Sequence, residues 1–176
     1  MDALKAFLQG KWLGHPLHPA LVHIPTALWP AALLFDLISR TGLGGPIPVQ
    51  ISYYAIMAGV LVALVAAVTG LADWADIKPE KPAKKIGLVH MVLNLTVTAL
   101  FALNLWLRAQ LPLTTDAVPL TLIGLTLIGN LILMVSGYLG GRMVYDQGIS
   151  VARHNKEELR RRAEAAGSNV PAEQKG

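Results

Sequence analysis

TGLGGPIPVQISYYAIMAGVLVALVAAVTGLA, residues 41–72, carries no Asp, Glu, Lys or Arg between Arg40 and Asp73. A helix crosses the hydrocarbon of a bilayer with about 20 mostly apolar residues. This run is long enough, and it does not stand alone. Residues 12–35, 86–107 and 117–141 are likewise free of Asp, Glu, Lys and Arg. Within these runs the sequence predicts membrane helices at 19–38, 50–72, 86–107 and 119–141. The first is not expected to be a signal peptide, because its apolar run continues past Pro30 and its basic flank leads into His-Pro pairs instead of a small-residue cleavage site.

Composition agrees. Of 176 residues, 53% are hydrophobic and 15% charged, whereas soluble domains run at about 25% charged. The chain has no Cys, which excludes disulfide frameworks, thiolate metal sites and Cys nucleophiles. No phosphate loop, Gly-x-Ser-x-Gly elbow or His-Glu-x-x-His helix is present. An electron carrier or accessory subunit therefore fits better than an enzyme.

Lys and Arg set the expected orientation. Of the 15 such residues, all but Arg40 and Arg108 fall in the N-terminal segment, the link around Lys78–Lys85 or the tail from Arg142 onward. Both termini are thus expected in the cytoplasm, with the chain multi-pass in the membrane. Short links make consecutive helices neighbours, so the expected fold is an all-α, up-down-up-down four-helix bundle. The expected organisation is a His/Pro segment at 1–18, the membrane domain at 19–144 and a basic tail at 145–176. Glu157 and Glu158 stand four residues before Arg161 and Arg162, which predicts a surface helix over 155–166. Beyond Gly167 the composition predicts disorder. The basic tail suits anionic lipid headgroups; its charges are too few and too mixed with Glu to predict nucleic-acid binding.

In this frame the titratable residues gather at one depth. His15, His18 and His23 open the first helix, Asp73 and Asp76 close the second, and His90 lies one turn into the third. Ionisable groups at membrane depth are functional candidates because leaving them unpaired in hydrocarbon is costly. His23 and His90 are the deepest pair. In a bundle of sequential neighbours their helices are diagonal, roughly 11–14 Å apart. That gap suits two imidazoles sharing the iron of a b-type haem, with His18 as the substitute for His23. Asn94, one turn beyond His90, and Trp74 would flank the group. Gly70, Gly87, Gly137, Gly140 and Gly141 occur near this depth and would leave room for a ring. Asp36, at the far end of the first helix, is expected to reach the interface. Asp36, Arg40, Arg108 and Asp116 look too sparse for a second site.

Two other readings stay open. His15, His18, His23, Asp73 and His90 supply N and O donors for a zinc, nickel or iron ion used in transport or sensing. Alternatively, the chain is a structural subunit of a larger membrane complex, with no cofactor and its histidines bonded to backbone carbonyls.

Two segments carry a family resemblance: Gly14-His-Pro-Leu-His-Pro-Ala-Leu-Val-His-Ile-Pro25 and Gly137-Tyr-Leu-Gly-Gly-Arg-Met-Val-Tyr-Asp-Gln-Gly148. Together they resemble a bacterial family of small membrane proteins catalogued as domain-of-unknown-function family 2231. The resemblance spans about residues 12–152 and includes His90 and Asn94. It implies a four-helix membrane bundle, sometimes associated with redox partners, and brings no settled activity. Members of the family often carry His where this chain has Gln147. In architecture alone the bundle is also similar to two-histidine membrane cytochromes of the b type.

Overall fold

The computed structural model describes residues 2–112, 114–149, 161 and 163–167. His154 and most of the expected tail helix lie outside the described residues. A short helix α1 (Asp2–Leu8) and a 3₁₀ turn (Lys11–Leu13) lead into four long helices. These are α2 (Leu17–Ser39), α3 (Ile47–Ala75), α4 (Pro82–Arg108) and α5 (Leu120–Tyr145). All four are long and apolar enough to cross a membrane, and no strand occurs among the described residues.

Helices α2, α3 and α4 begin earlier than hydropathy alone suggests, because prolines set the starts, and α5 begins at Leu120 and runs four residues past its expected end. Pro16, Pro46 and Pro119 each immediately precede a helix, and Pro82 opens α4. Proline's fixed φ suits a first turn, and its missing N–H is not needed there. Pro25 and Pro30 remain inside α2.

The four helices form a ring in which α2 packs on α3, α3 on α4, α4 on α5 and α5 on α2; α2 and α4 are therefore diagonal. Packing is densest within the pairs α2/α3 and α4/α5 and thinnest along the α2–α5 seam. At mid-height Trp29 of α2 stacks on Phe101 of α4, with ring centroids 4.2 Å apart and planes inclined by 11°. Ala32, Ile56, Val60, Ala63, Val97 and Leu133 complete the buried part of this core. The outer faces are apolar and exposed, as with Leu61, Leu64, Val65 and Val68 on α3 and Leu131, Met134 and Val135 on α5. Large side chains of this kind belong against lipid tails.

Asp36 does not reach the interface. It is fully buried and pairs through both oxygens with Arg108, at 2.8 Å and 2.6 Å, while Arg108 is only 3% exposed. The expectation failed because a charge near a helix end reads as interfacial when its partner on another helix is not visible in the sequence. Ser52 of α3 and Thr126 of α5 also bond the carboxylate, and Asn104 of α4 bonds Arg108 Nε. All four long helices thus meet at one ion pair. Ser39 adds a fastening, its hydroxyl accepting from Val118 N–H at 3.0 Å.

Candidate functional site

At the opposite end of the bundle, two imidazoles face neighbouring helices. His18 sits in the first turn of α2 and is half-buried; its Nδ1 lies 2.8 Å from the carbonyl oxygen of Ala66 on α3. His90, just over two turns into α4, is half-buried as well; its Nδ1 lies 2.8 Å from the carbonyl oxygen of Ser136 on α5. A carbonyl oxygen can only accept, so in both rings Nδ1 carries the hydrogen and Nε2 keeps its lone pair. The two rings stand on diagonal helices, each turned onto the next helix of its own pair.

Close approach to backbone makes these positions. A Cβ on Gly70 would stand 2.7 Å from the His18 ring, and one on Gly140 would stand 3.1 Å from the His90 ring. Each glycine therefore opens its helix for the imidazole of its neighbour. Gly87 does the same for Trp74, whose ring a Cβ would meet at 2.8 Å, while Gly137 and Gly141 face open space. Three of the five glycines singled out at this depth thus accommodate protein rings.

Asn94 is part of this arrangement. Its Nδ2 donates to Ser136 Oγ at 2.7 Å and to the His90 carbonyl at 2.9 Å, and lies 3.1 Å from His90 Nε2. Trp74 is held elsewhere by Lys84. Its indole N–H donates to the Lys84 carbonyl, the Lys84 ammonium returns a bond to the Trp74 carbonyl, and that ammonium sits 3.5 Å from the ring centroid.

His23 is exposed, and its Nδ1 lies 2.6 Å from the Pro19 carbonyl of its own helix. His15 is exposed on the rim of a cleft that Asp73 also lines. Among the described residues, no three His, Asp or Glu side chains gather closely enough to hold a metal ion. The structure joins His90 to Asn94 and Ser136, and turns His18, on the diagonal helix, onto α3; among the described residues no hydrogen bond ties His15, His23, Asp73 or Trp74 to either histidine. Ser136 is the residue that sequence reasoning missed. Its position seven residues before Met143 carries no signal by itself, since a backbone carbonyl is common to every residue.

A family profile described as a predicted membrane protein, DUF2231, matches residues 14–153. The chain belongs to the DUF2231 family. The match begins at Gly14, just ahead of His15 and His18, and runs past α5, so the ion pair and both half-buried histidines lie within it. No curated protein and no solved structure matches the chain. Membership establishes a helical membrane protein and carries no activity with it.

Proposed function

We infer that this DUF2231 protein is a membrane-embedded electron-transfer or redox-accessory protein that binds one b-type haem through two histidines. His18 and His90 are the ligands this reading selects. The observation that carries it is the shared tautomer: each Nδ1–H is spent on a backbone carbonyl of the next helix, and each Nε2 retains its lone pair. Metal-binding histidines commonly donate their second N–H in this way, which fixes the ring and raises its basicity. Asn94 would give up its contact with Nε2 and keep its bond to Ser136 Oγ.

The helix packing supports the same reading. His18 belongs to the tight α2/α3 pair and His90 to the α4/α5 pair, and the α2–α5 seam between those pairs is the loosest in the bundle. A planar group enters most readily where the fewest side chains interlock. Two neutral imidazoles on iron leave no open position, so the group would pass electrons between partners and would not activate oxygen.

The absorption spectrum of detergent-purified protein, oxidised and dithionite-reduced, with metal analysis on the same sample, tests this function. The expected result is a Soret band that sharpens on reduction, resolved α and β bands, and iron equimolar with the chain. A featureless spectrum from cells supplied with ample haem overturns it, and bound zinc or nickel would transfer the site to a metal-ion role.

A further inference from the structure

The chain ahead of the first membrane span is folded, and it is fastened to the perimeter of the bundle. Lys5 of α1 pairs with Asp76 at the end of α3. Gln9 donates to the same carboxylate at 2.6 Å and to the Ala72 carbonyl at 3.2 Å. Asp76 keeps helical dihedrals as the cap of α3. Ala72 and Asp76 follow Val65 by seven and eleven residues, which puts each of them about 20° from it around the helix. Val65, with Leu61 and Val68, is exposed on the face that α3 turns to lipid. The attachment of α1 is therefore on the lipid-facing side of α3, at its end.

One side of α1 makes this attachment and the other is apolar. Around the helix, Lys5 stands about 100° from Leu4 and about 160° from Phe7. Leu4, Phe7, Trp12 and Leu13 are all exposed. Phe7 and Trp12 stack with ring centroids 5.6 Å apart and planes inclined by 9°, and the Trp12 indole N–H donates to the Phe7 carbonyl at 3.2 Å. The two rings thus form one surface. Its direction is fixed by the corner at Gly10, where φ is 74° and a Cβ would stand 2.4 Å from the His15 carbonyl oxygen. Large apolar side chains gathered in one exposed patch mark a surface that meets something other than water. This patch continues the lipid-facing side of α3, and Lys5 and Lys11 accompany it. Tryptophan concentrates where hydrocarbon meets water, and amphipathic segments with Lys on one side and Trp, Phe and Leu on the other lie in that layer.

We propose that α1 and the 3₁₀ turn form an interfacial anchor, with Leu4, Phe7, Trp12 and Leu13 sunk in the headgroup layer of the bilayer that the four helices cross. The occupant of this face is lipid. The anchor sets the height at which α2 enters the membrane, since only Gly14, His15 and Pro16 separate Leu13 from Leu17. It stands independently of the haem reading.

Fluorescence of the full-length chain in bilayers of brominated phosphatidylcholine tests this, with the Trp12 emission taken as the difference between the unaltered protein and Trp12→Phe. The expected emission lies to the blue of tryptophan in water. Bromine near the headgroup should quench it more strongly than bromine at the chain ends. Phe7→Asp, in protein with unchanged helical circular dichroism, should expel the segment, so that aqueous iodide quenches Trp12 and brominated lipid no longer does. Iodide quenching of the unaltered protein as strong as that of Phe7→Asp overturns the proposal, because the face would then lie in water. Emission that neither lipid nor iodide quenches also overturns it, and transfers the face to a second copy or a partner protein. Lipid quenching that is the same in folded Phe7→Asp as in the unaltered protein overturns the patch as the anchor.

Discussion

Arg108 and Asp36 use up each other's hydrogen-bonding capacity. The guanidinium has five N–H groups. Two go to Asp36, one to Asn104 Oδ1, one to Ser52 Oγ and one to Thr126 Oγ1. The carboxylate in turn accepts from Arg108 at both oxygens, from Ser52 at one and from Thr126 at the other. No position remains for a ligand, so this end of the bundle is a fastening. The histidine end differs: each ring keeps an Nε2 lone pair. That contrast is why the functional reading rests on His18 and His90.

Breaking the fastening on one side should be worse than removing it altogether. Asp36→Ala or Arg108→Ala leaves a buried charge without its partner, at about 3–5 kcal/mol. The pair Asp36→Leu with Arg108→Met should recover most of that loss. Thermal unfolding in detergent gives the comparison. A double variant no more stable than either single one would mean that the pair is not the source of the stability.

Gly59 of α3 lies under the Trp29 indole, and a Cβ there would overlap the ring nitrogen. Because Trp29 is stacked on Phe101, it cannot swing away. Gly59→Ala should therefore cost about 1–3 kcal/mol from overpacking. Gly137→Ala meets nothing within 4 Å and should be neutral or slightly stabilising, since alanine favours helix by up to about 1 kcal/mol. Melting temperatures of the two variants decide the matter.

The N-terminal segment is latched to α3 through Asp76. Hydrogen bonds from Lys5 and Gln9 hold this carboxyl below its ordinary value near 3.8. A depressed carboxyl contributes stability above its unfolded value and loses it as pH falls through the folded one. The latch should hold at neutral pH and open only below about 3.8. Hydrogen exchange of residues 2–14 should stay slow at pH 7, and Asp76→Asn should speed it there. Unchanged exchange in that variant would contradict the latch.

For the haem reading, the variants must separate His18 from His23. His18→Ala and His90→Ala should each abolish the low-spin spectrum, and His23→Ala should leave it intact. Loss of the spectrum with His23→Ala and its retention with His18→Ala would reverse the ligand assignment.

The four spans were legible because hydropathy is local: a run such as residues 41–72 announces itself without reference to any other part of the chain. Depth was legible too, and it selected the histidine-bearing ends of the helices. Rotation about the helix axis was not. His18 and His23 stand five residues apart, which turns them about 140° from each other, so one face cannot present both. Hydropathy placed the start of the first helix at residue 19; the helix begins at Leu17, and His18 is the residue turned toward α3. Asp36 and Arg108 were read separately because their pairing spans 72 positions. The clue available was chemical: Ser39, Ser52, Asn104 and Thr126 are small polar residues at the same depth, a set suited to surrounding a charge.

The Trp29–Phe101 stack has a consequence for what can travel through the molecule. Along α2, Trp29 lies about 16 Å from His18 and about 10 Å from Asp36. Its indole N–H has no acceptor. A proton moves by handing itself along a chain of donors and acceptors, and the stacked rings offer it no acceptor. Asn130 stands at the same level, its Nδ2 held by the Trp29 and Thr126 carbonyls. The two polar ends thus share one set of helices with this aromatic pair standing between them.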